Sequence, residues 1–233
     1  MNLNDIDKNI IEKFEKNAGY VFKNKNLLLS ALTHSSYSHE IKINKRECYE
    51  RLEFLGDAVL ELVSSEYIFK NNARMDEGGM TKLRSSYVCE QTLAYCAREL
   101  KLDTMLYLGK GEIKSGGSKR DSILCDVMEA TIGAVFMDSD FEIAKKYIND
   151  HVLKDIDKKV LFYDCKTNLQ EIVQRNGESK IEYVIIDEFG PEHNRTFKCE
   201  VIINGKSFAE GEGHSKKKAE QEAAYKALKM LIK

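Results

Sequence analysis

Residues 123–137, ILCDVMEATIGAVFM, are apolar almost all round and carry only two charges, Asp126 and Glu129, about one helical turn apart. A helix that is apolar on every side is buried. The chain must therefore build a helical core around this segment and accommodate two acids within it. Two enclosed carboxylates one turn apart repel each other and lose their hydration, a cost relieved by protonation, a basic partner or a metal ion. The segment contains no Lys or Arg, so a salt bridge would need a cation delivered from elsewhere.

A second acidic group lies earlier in the chain. Turned by about 100° per residue, residues 50–63 (ERLEFLGDAVLELV) place Glu50, Glu53 and Asp57 on one helix face and Leu52, Leu55, Val59, Leu62 and Val63 on the other. Phe54 and Leu60 flank the acids, which predicts partial enclosure; taken alone, the same face also suits a solvated helix side. Together the two segments offer enough oxygen donors for one or two hard divalent cations. Mg²⁺ suits such a set, because it takes a few carboxylates and keeps waters for a substrate phosphate. A site of that kind activates water and stabilises the leaving oxygen of a phosphodiester.

The rest of the chain divides by pattern. From Asp5 to about Lys159, amphipathic helices alternate with polar breaks at residues 35–44, 71–79 and 110–120. After Val160 come a short helix near residues 168–174, alternating apolar residues at Phe197, Cys199, Val201 and Ile203, an Asn204-Gly205 turn, and an Ala-rich helix from about Lys216. The expected architecture is an all-α domain over residues 1–157, a linker at 158–163, and a small α+β domain of α-β-β-β-α order over 164–233. Only the change of pattern places the linker, since neither Gly nor Pro marks it. Apolar residues at 42% and charged residues at 32%, with a single proline, suit an ordered, helix-leaning chain.

Several classes are disfavoured. No stretch approaches the roughly 18 apolar residues of a membrane span, and the start carries acids where a signal peptide would be apolar. A cytoplasmic protein without membrane contact is expected. Cys48, Cys89, Cys96, Cys125, Cys165 and Cys199 include no CxxC pair, so they read as reduced packing residues. A net charge of −2 leaves no overall basic excess, so affinity for a polyanion must come from where the charges are placed.

The string ERLEFLGD at residues 50–57 resembles the signature motif of the ribonuclease III family. Three further stretches resemble that family in order and spacing: GYVFKNKNLLLSALTHSSY at 19–37, DEGGMTKLRSSYV at 76–88, and LGKGEIKSGGSKRDSILCDVMEATIGAVF at 108–136. The C-terminal part resembles a double-stranded-RNA-binding domain through DCKTNLQE at 164–171, GPEHNRTFKCEV at 190–201 and HSKKKAEQEAAYKAL at 214–228.

The resemblance implies an all-α endonuclease domain followed by an RNA-binding α+β domain. It assigns Glu53, Asp126 and Glu129 as metal ligands, Asp57 with Glu129 as catalytic acids, and Glu50 and Glu77 as peripheral acids. The implied cofactor is Mg²⁺, with Mn²⁺ able to substitute and no organic cofactor. One cluster cuts one strand, so the resemblance also implies a homodimer with two sites on one duplex. Phe54 matches a dimer-interface position, although from the sequence it equally suits an intramolecular core. Tyr49 stands where family members often have Asn.

Lys216, Lys217 and Lys218 open the last helix, where the helix dipole disfavours cations, so stability is a poor reason for them. Phosphate binding is a better one, and a solvated charge run is the bland alternative. The resemblance gives minor-groove contacts to Gln170, Glu171 and the loop bearing Pro191 and His193. Such a domain reads duplex shape and 2′-hydroxyls with little sequence readout. Behind the lysines, Ala219, Ala223 and Ala227, with Ala224, Leu228 and Leu231 beside them, form a stripe suited to close packing on a sheet. Lys82, Arg84 and a flexible basic loop at 110–120 could line an RNA track, or be ordinary surface.

The chemistry expected is in-line attack of water on phosphorus, leaving 5′-phosphate and 3′-hydroxyl ends, with ribosomal-RNA precursors and other structured transcripts as substrates implied by the resemblance. A histidine-dependent ribonuclease would need a general acid and base pair, and His34, His39, His151, His193 and His214 show no such pairing in sequence. The alternative from another class is a double-stranded-RNA-binding protein that keeps the fold without cleaving. Retention of Glu53, Asp57, Asp126 and Glu129 speaks for the enzyme.

Overall fold

The computed structural model describes residues 5–41, 47–156, 165–175, 180–191 and 195–231, and it separates into two units, Met1–Ile156 and Asp157–Lys233. The linker expected at 158–163 lies outside the described residues.

In the first unit the described elements are helices α1 (Asp5–Ala18), α2 (Lys25–Ala31), α3 (Ser35–Glu40), α4 (Glu50–Asn71), α5 (Glu77–Tyr87), α6 (Glu90–Glu99), α7 (Lys110–Lys114), α8 (Asp121–Asp138) and α9 (Phe141–Ile148), with single turns of tighter or wider helix between some of them. Local side chains set several starts. Asn24 accepts from Asn26 N–H, Asp76 accepts from Gly79 N–H at 2.8 Å, and Asp140 accepts from Ile143 N–H at 3.0 Å, each satisfying an orphan donor of the first turn.

All three expected polar breaks are in fact partly helical, the one at 71–79 because α4 ends at Asn71 and α5 begins at Glu77. His34 Nδ1 accepts from Ser36 N–H at 3.0 Å and so starts α3, a role that matches neither an acid nor a base. The segment at 110–120 folds as α7 and a 3₁₀ turn at Gly117–Lys119, because an Arg120 to Glu112 ion pair at 2.9 Å draws its two ends together.

Helix α8 is the axis of this unit, with Leu124, Val127, Met128, Ile132, Ala134 and Val135 all fully buried. Helix α4 lies along it at a separation that only glycine permits. A Cβ on Gly56 would fall 1.8 Å from Glu129 O, and one on Gly133 would fall 2.2 Å from Leu52 O. The buried side of α4 is Gly56, Val59, Leu60, Val63, Ser64 and Ile68. This corrects the core stripe read from periodicity: Leu62, expected in it, is 58% exposed, whereas Leu60, expected to flank and enclose the acids, has no exposure.

In the second unit α10 (Cys165–Arg175) precedes strands β1 (Ile181–Phe189), β2 (Thr196–Ile203) and β3 (Lys206–Gly213), and α11 (Lys216–Leu231) closes it. The strands form an antiparallel sheet in the order β1-β2-β3. Asn204 and Gly205, with φ of 52° and 76°, make the β2 to β3 turn, as that residue pair favours. Cys165, Leu169, Val173, Val201, Ala209, Ala223, Ala224, Ala227 and Leu228 make a separate core. Backbone again approaches backbone, since a Cβ on Gly211 of β3 would meet Ala223 N at 2.1 Å. That is the use of the alanine stripe, although Leu231, expected beside it, is 38% exposed.

Candidate active site

Helices α4 and α8 carry the acids. Glu53 and Asp57 flank Gly56 on α4, and Asp126 and Glu129 sit one turn apart on α8, where the Gly56 contact reaches the backbone of Glu129 itself. The glycine contact therefore brings the two acidic rows onto one another. Among the described residues none of the four carboxylates has an ion-pair partner, and the core of α8 supplies none. Glu53, Asp126 and Glu129 are half-buried and Asp57 is the most exposed of the four.

The electrostatic consequence is mutual destabilisation of charge. Burial pushes the Glu129 carboxyl up to about 8, with Asp57, Glu53 and Asp126 adding repulsion. Burial, then Asp126, Glu50 and Asp57, pushes Glu53 up to about 7. Asp57 is raised by partial desolvation and by Glu61. Asp126 is raised by burial, which outweighs a hydrogen bond from Tyr49 and the pull of His34. Carboxyls that repel one another, with only His34 pulling on one of them, suit a divalent cation, although among the described residues Glu53 and Asp57 fall outside the group whose donor atoms all lie within 4.8 Å of one another.

Two neighbours were given no part in the site by sequence reasoning, which noted Tyr49 only as a departure from the family's usual Asn and Cys125 only as a packing residue. The Tyr49 hydroxyl donates to Asp126 Oδ2 at 3.1 Å, and its ring, 4% exposed, meets the His34 ring edge-on with centroids 5.5 Å apart. Burial and Asp126 hold the Tyr49 hydroxyl well above its usual range, so it remains a donor. Tyr49 thus fixes the orientation of one carboxylate. The second neighbour is Cys125, whose Sγ lies 3.9 Å from Glu129 Oε1. Donor atoms of Cys125, Asp126 and Glu129 all lie within 4.8 Å of one another. The half-buried thiol is free, as the scattered cysteine pattern suggested, and its placement beside Asp126 and one turn before Glu129 was the signal that put it near the acids.

The peripheral positions behave differently. Glu50 is exposed and acts on Glu53 through its charge. Glu77 is exposed in the first turn of α5 and accepts from Thr81 Oγ1 at 3.2 Å. Lys82 is exposed, whereas Arg84 turns to Ser65 Oγ at 3.0 Å and to Glu61. Phe54 is 80% exposed, which removes the reading of it as an intramolecular core residue. With Leu62 and Phe69, at 58% and 71%, it lies along an outward apolar strip of α4.

In the second unit Gln170 and Glu171 are exposed on α10, Pro191 is exposed after β1, and His193 lies outside the described residues. Lys216, Lys217 and Lys218 are all exposed on the first turn of α11, where Ser215 Oγ accepts from Lys218 N–H at 3.2 Å. Lys216 is 3.8 Å from Glu188 and lies over the Phe197 ring, while Lys217 and Lys218 have no ion pair among the described residues.

The raised carboxyls make a prediction with a definite sign. The folded, metal-free unit retains protons on Glu129 and Glu53 that the unfolded chain has lost, so their stabilising contribution is complete below the ordinary value of 4.5 and is lost as pH rises to about 8. Thermal melts in EDTA should show the melting temperature of this unit falling across that window, and added Mg²⁺ should reverse the fall most strongly at the alkaline end. A pH-independent response to Mg²⁺ would rule out coupled carboxylates as its binding site.

Residues 24–156 match the family model described as Ribonuclease-III-like, and residues 165–231 match that of the double-stranded RNA binding motif. The chain is similar to Ribonuclease 3 of Caldanaerobacter subterraneus subsp. tengcongensis, 47% identical over 220 residues that cover 93% of this chain and 96% of that one. It is similar also to Ribonuclease 3 of Enterococcus faecalis, 46% identical over 228 residues, covering 97% and 99%. A solved structure of the nuclease domain of ribonuclease III from Campylobacter jejuni is 43% identical and superposes with a TM-score of 0.58, covering 62% of this chain and 96% of that domain.

Proposed function

The chain belongs to the ribonuclease III family, and from that premise we propose that it is an endoribonuclease that hydrolyses double-stranded RNA to 5′-phosphate and 3′-hydroxyl ends. The observation that carries the reading is the convergence of Glu53, Asp57, Asp126 and Glu129 on one patch with no ion-pair partner among the described residues. Ribosomal-RNA precursors and other structured transcripts are the natural substrates, and the cytoplasm is where such transcripts are met.

The cation of choice is Mg²⁺, with Mn²⁺ able to substitute, since every assigned donor is a carboxylate oxygen. When bound it supplies charge stabilisation to the phosphate and lowers the pKa of an attacking water. Glu53, Asp126 and Glu129 would hold it. Asp57, the most exposed of the four, would hold the water by its carboxylate for in-line attack. Tyr49 keeps Asp126 from turning away, by the hydrogen bond at 3.1 Å. Glu50 and Glu77 are peripheral and would not ligate, and the charge of Glu50 tunes the patch through Glu53.

Lys216, Lys217 and Lys218 would neutralise phosphates, each releasing counterions. Gln170, Glu171 and the loop with Pro191 and His193 would lie against the minor groove, where 2′-hydroxyls distinguish RNA from DNA. Breaking both strands calls for two clusters, and the exposed strip of Phe54, Leu62 and Phe69 supports a homodimer formed through α4.

One preparation tests the reading. The protein should sediment as a two-chain species and cut a long labelled RNA duplex with Mg²⁺ and not with EDTA, leaving 5′-phosphates and sparing a DNA duplex of the same sequence. Binding of the duplex without cleavage under every metal condition would establish a non-cleaving RNA-binding protein instead, and a single-chain species that still cuts both strands would remove the dimer.

A further inference from the structure

We propose that the outer face of the β1-β2-β3 sheet is a docking surface for a basic segment of a partner protein, one that presents Lys or Arg side chains around an apolar anchor. The inference stands on the sheet itself and goes beyond the RNA-binding reading of the same unit.

The sheet has two unlike faces. Val201 of β2 and Ala209 of β3 turn inward to the core shared with α10 and α11. Strand alternation turns their neighbours in sequence outward to solvent. On β1 this leaves Val184, Ile186 and Phe189 exposed by 41%, 43% and 45%, with Ile186 at a bulge in the pairing to β2. Apolar residues grouped on an open face and rimmed by charge mark a protein contact better than they suit a solvated strand.

The rim says what kind of partner fits. Glu182, Asp187, Glu200, Glu210 and Glu212 share this face. Against them stand Lys180, paired with Glu182, and Lys198, 2.6 Å from Glu210 and faced also by Glu212 and Asp187. Glu200 and Glu210 are direct cross-strand partners, and like charges so placed weaken a sheet. Stability is therefore a poor reason for that pair. The acidic excess disfavours a nucleic acid, and it equally disfavours a second copy of the same face laid on itself. A basic segment covers the apolar residues and neutralises the acids in one contact. Lys216, Lys217 and Lys218 open a helix packed on the other side of the sheet, so a duplex held by them leaves this face open.

The test uses the full chain in Mg²⁺, with isotope-labelled Ile and Val methyl groups, and a short fluorescent peptide of alternating Lys and Val; a Glu and Val peptide is the control. The basic peptide should shift the methyl resonances of Val184, Ile186 and Ile202, and the acidic one should leave them in place. Changing Glu200, Glu210 and Glu212 together to Gln should weaken the basic peptide by about tenfold, as expected for the loss of three exposed ion pairs. Duplex affinity, Mg²⁺-dependent cleavage and melting temperature should all be kept, which separates loss of the surface from loss of the fold. Equal peptide affinity in the triple variant, or shifts confined to methyl groups around the acids of α4 and α8, would overturn the proposal. So would resonances of this face that move with protein concentration in the absence of peptide, because the occupant would then be a second copy of the chain. A loss of duplex binding in the triple variant would also overturn it, by placing RNA on the sheet.

Discussion

Glu129→Gln should reduce cleavage of an RNA duplex by about a thousandfold, the effect of removing several kcal/mol of transition-state stabilisation, while leaving duplex affinity nearly unchanged. Glutamine has the shape of glutamate and lacks the charge, so packing against α4 survives and only the ligand is lost. The same substitution should raise the melting temperature of the metal-free protein at pH 8, because it deletes the group whose carboxyl burial and the charges of Asp57, Glu53 and Asp126 push up to about 8. Loss of activity combined with gained stability separates a functional acid from a structural one. The binding arm has its own control: with Lys216, Lys217 and Lys218 all changed to Ala, affinity should fall and its salt dependence flatten by nearly three units of slope. If Glu129→Gln cuts at the wild-type rate, or loses binding as severely as the triple lysine variant, the division of labour between the units is wrong.

Gly56→Ala should be the most damaging single methyl group that can be added to the chain's first unit. The new Cβ would sit 1.8 Å from Glu129 O and 2.6 Å from its carbonyl carbon, both backbone atoms that cannot swing aside. Helix α4 must then lift from α8, the contact around which the unit is built. Overpacking a core against side chains costs about 1–3 kcal/mol and more where nothing can relax. A loss of about 3 kcal/mol lowers the melting temperature of a domain this size by roughly 10 °C. Calorimetry should show the drop confined to the nuclease unit, with the melting of the second unit unmoved. An unaltered thermogram would mean that α4 and α8 are not in backbone contact.

Much of this was legible in the sequence because the signals were chemical. Two acids in an otherwise apolar helix had to be explained, and the Asn204-Gly205 pair between alternating strands has few other uses. The ordinary face of α4 was less legible. Periodicity put Leu62 in a core stripe opposite the acids, where it is 58% exposed, while Leu60, on the acid side, is fully buried. An apolar side chain buried inside one chain and one left for a partner look the same in sequence, and α4 has both along its length, with Leu60 inward and Phe54, Leu62 and Phe69 outward. The glycine-rich 110–120 segment read as a flexible loop because its order depends on an Arg120 to Glu112 pair rather than on propensity. Tyr49, noted only as a departure from the family's usual Asn, and Cys125, read as packing, were given no place in the site because their contacts depend on three-dimensional neighbours. The bond from Tyr49 spans α4's entry and the middle of α8, and the thiol reads as one more small apolar residue until its distance to Glu129 is known.

The two glycines that let α4 and α8 touch also act as a gauge. Gly56 stands between Glu53 and Asp57 on its helix, and its opposite number is the backbone of Glu129, so the distance between the backbones that carry the two carboxylate rows is set by main-chain atoms, and only side-chain rotation is left to adjust the gap. Mg²⁺ takes oxygens at about 2.0–2.1 Å in a nearly fixed octahedron, whereas Ca²⁺ accepts about 2.3–2.6 Å in a looser shell. A separation held by backbone contact is the kind of spacing that the smaller, stricter ion can use as a ruler. Two absent methyl groups thus set how near the acid-bearing backbones come, one of them several residues away from any charge and the other directly between two.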